Sequence, residues 1–239
     1  MASPPKNAGP PRPLAADAWG AAADRATGWV LTSQGRAFPQ SPHSGHDMSL
    51  TAWAWVEGTA SWVEPTAIQL LALKASGHGE HKRSREAVRL LQDRALPSGG
   101  WNYGNNLVLG KELRAHVQPT GLALAALAGE QGAGAEVRQA TDYLQRSLSA
   151  AVTLVSLSYA LIGLAGHGAR PQEADQWLAT ACTRSLRQGA PPHALALVAL
   201  AALGRDCPWY ADAGIREQGS EPGRVGPAGV QGAGFGVRR

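Results

Sequence analysis

Two kinds of apolar pattern alternate along the chain. Four runs, Thr66–Leu73, Thr120–Leu127, Leu157–Leu164 and His193–Leu200, are apolar on nearly every side of a helical wheel, which predicts buried helices. Between them lie Ala15–Ser33, Arg83–Asp93, Ala135–Arg146 and Gln172–Arg187, whose apolar residues share one face and whose charges, such as Arg138, Asp142 and Arg146, share another. Each amphipathic segment carries an apolar pair (Trp29-Val30, Leu90-Leu91, Tyr143-Leu144 or Trp177-Leu178) expected to anchor it on a core. Strand-type alternation is almost absent; Ala151-Val-Thr-Leu-Val-Ser reads better as a helix start.

Punctuation supports the same elements. Pro65, Pro119 and Pro192 precede three of the buried runs, with Ser156 in the remaining one. Proline in a first helical turn loses nothing, because its missing N–H would have had no partner there. Gly77, Gly129, Gly166 and Gly204 follow the four runs and are expected to cap them. The predicted fold class is therefore all-α: outer helix then inner helix, four times over, in a repeat of helical hairpins.

Repeat lengths are about 54, 37 and 36 residues between Leu73, Leu127, Leu164 and Leu200, so the extra material lies early, in the loops Gln34–Ser61 and Pro97–His116. Long connections in a compact repeat fold are commonly functional. The first inner helix is preceded by Trp53-Ala-Trp-Val-Glu-Gly-Thr-Ala-Ser-Trp62-Val-Glu-Pro-Thr66, and its last part returns as Val117-Gln118-Pro119-Thr120. Only the first copy has the aromatic lead-in, which points specific chemistry there. After Leu203 the helical pattern stops, although Pro208-Trp209-Tyr210 offers a last packed anchor. One repeat domain is expected over 14–212, between a disordered proline-rich lead at 1–13 and a disordered Gly/Pro-rich tail at 213–239.

Composition narrows the classes. Of 239 residues, 44% are hydrophobic, enough for a sizeable core. Eight Trp stand against two Phe and four Tyr, and Trp53, Trp55, Trp62 and Trp101 concentrate rings in one region. The net charge of +4 is modest, and the basic run His81-Lys-Arg-Ser-Arg85 has no interleaved aromatics, so no nucleic-acid partner is expected. Cys182 and Cys207 have neither zinc-finger nor CxxC spacing. No secretion signal opens the chain and no run of about 18 apolar residues occurs, so a cytoplasmic setting is expected.

The alternating helices, together with Trp-Val-Glu-Pro-Thr-Ala at 62–67, Leu91-Gln-Asp-Arg and Gly99-Gly-Trp-Asn-Tyr-Gly-Asn105, resemble the α/α toroid of squalene cyclases and protein prenyltransferase β subunits. The local likeness is to the Gln…Gly-x-Trp repeat of the cyclases. Here Gln92 stands eight residues before Gly100, and Trp101 follows that glycine directly. The fuller string looks like bacterial prenyltransferase/squalene-cyclase-repeat proteins of unassigned activity. The resemblance covers about residues 15–203 and is specific over 62–127. It implies six hairpins closing around an apolar central cavity, of which this chain supplies about four. An incomplete ring leaves a helix face for the tail, a second copy or another chain to cover.

Cyclase chemistry requires a carboxylic acid to protonate an alkene and aromatic faces to stabilise carbocations. The family's Asp-x-Asp-Asp motif is absent, and so is the Asp, Cys and His set with which prenyltransferases hold zinc; Asp206-Cys207 are adjacent. Glu64 is the best single acid, with repeat counterparts Gln118, Val155 and Pro191. It reads either as an acid or ligand group at the cavity mouth, or as a helix-terminus carboxylate complementing the dipole. Glu57 is similar but lies in a looser loop. Trp53, Trp55, Trp62, Trp101 and Tyr103 form either an aromatic wall for a ligand or loop packing, while Asn102, Asn105 and Asn106 serve recognition or turn geometry. His43-Ser-Gly-His46-Asp47 and His78-Gly-Glu-His81 fall on no clear helix face, and neither a metal nor another cofactor is expected.

The leading expectation is thus a terpenoid-cyclase/prenyltransferase-like protein that binds an apolar, isoprenoid-type ligand. Glu64 is its candidate catalytic group, and Trp53, Trp55, Glu57, Trp62, Trp101, Asn102, Tyr103, Asn105 and Gln118 are its candidate ligand-binding residues. The competing expectation is a non-catalytic helical scaffold that binds another protein or self-associates. Peripheral membrane contact follows from the cyclase resemblance alone, since no basic amphipathic anchor is present.

Overall fold

The computed structural model describes residues 16–210. The expectations for 1–13 and 213–239 lie outside the described residues. Among the described residues are eight α-helices: α1 (Ala16–Thr32), α2 (Val63–Ala75), α3 (Lys82–Asp93), α4 (Val117–Leu127), α5 (Gly134–Ser147), α6 (Leu154–Gly166), α7 (Ala174–Arg187) and α8 (Pro192–Ala202). The all-α class is thereby established. No described helix is long and apolar enough to cross a membrane.

The inner helices α2, α4 and α6 start about a turn earlier than the apolar runs suggested, and α8 one residue earlier. Trp62 and His116 are extended residues at the N-caps of α2 and α4. Pro65 and Pro119 thus occupy the third helical position, still among the N–H groups that have no intrahelical acceptor. A two-residue hairpin, β1 (Leu107–Val108) with β2 (Lys111–Glu112), was not expected; it pairs Leu107 with Glu112 in the long loop before α4. Leu109, at positive φ, turns it and is 83% exposed.

The inner helices α2, α4, α6 and α8 pack in succession, and α3, α5 and α7 lie against α2, α4 and α6 respectively. The closest crossing joins α4 to α6. A Cβ on Gly121 would lie 2.4 Å from the Ala160 backbone nitrogen, and one on Gly163 would lie 2.3 Å from the Gly121 oxygen. Backbones meet there, which lets Leu122, Leu124, Leu127, Leu157, Leu161 and Leu164 close fully over the crossing. Each such leucine contributes roughly 1.5–3 kcal/mol by leaving water. The expectation of helices buried all round holds for α4 and α6. In α8 only Ala194, Leu197 and Ala201 are buried, because it packs on α6 and α7 and turns its remaining apolar side to solvent.

One bonding unit occurs twice. The Trp53 indole N–H donates to the Val30 carbonyl (3.0 Å), and the Trp101 indole N–H donates to Leu91 (2.7 Å). Val30 and Leu91 both sit in the last turn of an outer helix, where carbonyls have no intrahelical donor. Each Trp backbone then bonds a threonine on the following inner helix. The N–H of Trp53 donates to Thr66 Oγ1, which donates back to the Trp53 carbonyl; Trp101 and Thr120 do the same at 2.9 and 3.1 Å. Trp101 is therefore the repeat counterpart of Trp53. This corrects the expectation that the aromatic lead-in belongs to the first copy alone.

The segment after α8 forms two 3-10 turns, Gly204–Asp206 and Pro208–Tyr210. The first packs on α6 and the second on α2. Tyr210 is buried, and its hydroxyl donates to the Ile162 carbonyl of α6 (2.5 Å). Gly166 does not cap α6 but lies within it, where a Cβ would meet the Tyr210 ring at 2.9 Å; the positive φ falls at Gly168.

Candidate functional site

Glu64 occupies the second helical position of α2 and is 8% exposed. Gln118, its counterpart on α4, donates from Nε2 to Glu64 Oε1 at 2.8 Å. Burial pushes the Glu64 carboxyl above the usual carboxylate range, and the Gln118 bond acts against it. The carboxyl lies close enough to the Tyr159 phenol of α6 that its charge adds to burial in raising that group too. Tyr159 in turn stacks on Trp209, with centroids 6.3 Å apart and planes at 27°. Among the described residues no cation pairs with Glu64. A carboxyl so placed retains its proton to higher pH than a solvated one and ties two neighbouring inner helices together.

The aromatic wall expected around Glu64 is distributed differently. Trp101 is fully buried, and Trp53 is buried with the Arg83 guanidinium 4.5 Å from its ring centroid. Both hold loops to helix ends, as described above. Trp62 is half-buried over Gly104, and Val63 N–H donates to the Tyr103 carbonyl (3.0 Å), so segments 53–66 and 99–106 do meet. Tyr103 faces His116 at 5.3 Å between ring centroids. Asn102 closes a turn, accepting from Gly104 N–H at 2.9 Å and donating to the Asn105 carbonyl, while Asn105 is exposed. Asn106 bridges the Gly45 and Asp93 carbonyls and bonds His46. A ring that the acid does reach electrostatically is Tyr159, which sequence reasoning missed and which carries Trp209 against it.

Trp55 and Glu57 lie elsewhere. With Trp29, Ser33, Gln34 and the largely buried Trp53 they line a cleft of about 380 Å³ between the end of α1 and the 53–57 segment. That volume falls inside the range of ordinary ligand sites, roughly 300–1,000 Å³. Trp29 and Trp55 are 62% and 58% exposed. Trp29 was expected to anchor α1; Val30 does so, and its neighbour points outward because adjacent helical positions diverge by about 100°. Trp29 shares its helix face with Ala22, Arg25 and Ala26, none of them a large apolar side chain, and that was the signal available in the sequence.

Among the described residues no group of three or more His, Cys, Asp or Glu side chains converges as metal ligands would. His78 and His81 meet edge to face, 6.5 Å apart, while His43 and His46 lie in the long first loop. Cys182 and Cys207 are unpaired thiols, the latter buried. Comparison with family models, with curated proteins and with solved structures finds no match.

Proposed function

We propose that the protein is a ligand-binding helical-hairpin module of the α/α-toroid kind, similar to the terpenoid-cyclase and prenyltransferase repeat proteins, and that it binds an apolar, isoprenoid-type molecule. The observation that carries this reading is the cleft of about 380 Å³ walled by Trp29, Trp53 and Trp55, of which Trp53 and Trp55 are also singled out by the sequence. Binding rather than catalysis is the reading, because Glu64 and the tryptophan cleft are separate places. Free thiols at Cys182 and Cys207 accord with a cytoplasmic setting.

Titration with farnesol, geranylgeraniol and squalene, followed by tryptophan fluorescence and solvent extraction of bound lipid, tests the proposal. Covering roughly 100 Å² of one indole at about 25 cal/mol/Å² is worth about 2.5 kcal/mol, so Trp55→Ala should weaken binding by roughly 60-fold. No quenching by any of the three would end this reading.

A second reading, self-association or protein scaffolding, is favoured by one observation. The outward side of α8 leaves Ala196, Ala199 and Leu203 exposed beside half-buried Leu195. Light scattering on the purified chain, with Leu203→Glu as the control, tests the self-association arm: a monomer at all concentrations removes it.

A further inference from the structure

The cleft between α1 and the 53–57 segment has a charge character that an apolar ligand alone does not use. Among the described residues Glu57 is the only charged side chain lining it, is exposed, and forms no ion pair. Trp29 and Trp55 present exposed indoles that contact no other ring or cation among the described residues. Trp53, the third indole, already carries a cation at one face. The Arg83 guanidinium lies 4.5 Å from its ring centroid and spends its Nη N–H groups on the Thr51, Ser33 and Ala52 carbonyls and on Glu86.

Indole faces attract cations through the ring quadrupole, most strongly when the cation sheds its water easily. Thr32 Oγ1 donates to the Gly28 carbonyl at 3.0 Å and Ser33 Oγ donates to Val30 at 3.4 Å; each oxygen keeps its lone pairs, so the indole surface, not the rim, favours one cation over another. A primary ammonium brings three N–H donors, each of which must find an acceptor when desolvated. A quaternary ammonium brings none: its methyl groups pack on the rings and its charge needs only a carboxylate nearby.

We propose that this cleft binds a small trimethylammonium compound, held between Trp29 and Trp55 with Glu57 balancing its charge. The proposal rests on the reading of the tryptophan cleft as a ligand site, and names a second, cationic class of ligand for it beside the apolar one.

The test compares choline with its neutral carbon isostere dimethylbutanol on the full chain, by calorimetry and tryptophan fluorescence, with farnesol as the apolar reference. Choline should bind at least about tenfold more tightly than the isostere. Glu57→Gln should weaken choline several-fold and leave the isostere unchanged. Trp55→Leu should abolish choline binding, whereas Trp55→Phe should retain part of it; both positions are exposed, and circular dichroism checks that the variants stay folded. Equal binding of choline and isostere overturns the cation assignment while leaving an apolar cleft intact. Silence from choline, isostere and farnesol alike overturns the cleft as a site altogether. Binding to phosphatidylcholine vesicles without binding of free choline overturns the small-solute assignment in favour of a lipid headgroup.

Discussion

Gly121→Ala should destabilise the fold, although the same change in an ordinary helix stabilises it. In isolation alanine gains about 1 kcal/mol over glycine in a helix interior. At this position the new Cβ would stand 2.4 Å from the Ala160 nitrogen and 2.5 Å from its Cα, both backbone atoms that no rotamer change can move. Restoring ordinary contact requires α4 and α6 to separate by about 1 Å, which forfeits between a quarter and a half of the dispersion attraction across the opened gap. Overpacking of this kind costs roughly 1–3 kcal/mol, and more where backbone must shift. After the propensity gain, a net loss of about 2 kcal/mol is expected. Gly20 supplies the internal control: it lies in α1 with nothing within 4 Å of a built Cβ, so Gly20→Ala should be neutral or stabilise by up to about 1 kcal/mol. Urea denaturation followed by circular dichroism, with both variants in one series, reads the difference in midpoint. A Gly121→Ala protein as stable as the parent would refute the close helix crossing.

Thr120→Val keeps the shape but removes both bonds to the Trp101 backbone, leaving a buried N–H without a partner; a loss of about 2–3 kcal/mol in chemical denaturation is expected, and Thr120→Ser should recover most of it. If the valine variant unfolds at the parent midpoint, the threonine is not a tie. Because the folded state holds the Glu64 proton more tightly than the unfolded chain does, stability is fully present below the unfolded carboxylate value of 4.5 and falls as pH rises through the higher folded value. Thermal melts across that interval should show a decline that Glu64→Gln flattens, and identical slopes for the two proteins would contradict it. Tyr210→Ala opens a cavity against α6 and removes the bond to Ile162; a loss of about 3–5 kcal/mol and increased binding of a hydrophobic dye are expected, and an unchanged melting midpoint would mean the last turn is not part of the core.

The helices were legible because apolar periodicity and proline placement are local properties. Thr66–Leu73 and Thr120–Leu127 fall within α2 and α4, and the missing first turn reflects N-caps with no Ser, Thr, Asp or Asn to announce them. The pairing of Trp53 with Trp101 was not legible. Thirteen residues separate Trp53 from its threonine and nineteen separate Trp101 from its own, because the β1–β2 hairpin is inserted in the second loop. Alignment on helix ends therefore slides the two tryptophans out of register. Proximity of Glu64 to Tyr159 was equally hidden, since it arises from α2, α4 and α6 packing side by side and leaves no mark on spacing. Glu64 and Gln118 were recognised as repeat counterparts, but only the structure joins them by a hydrogen bond.

The paired tryptophan units also determine what each long loop is free to become. Trp62 N–H bonds the Trp53 carbonyl at 3.0 Å, and His116 N–H bonds the Trp101 carbonyl at 2.8 Å, so each excursion leaves and rejoins the scaffold at a single stapled point. Between the staples, Ser61, Gly104 and Asn106 stay tied to the frame, while 54–58, with Trp55 and Glu57, and the β1–β2 hairpin reach solvent. Such stapled loops behave as sockets. Residues 54–58 and 107–112 should accept segments of other length and sequence while the helical frame stays as it is, which separates what these loops display from what folds the chain.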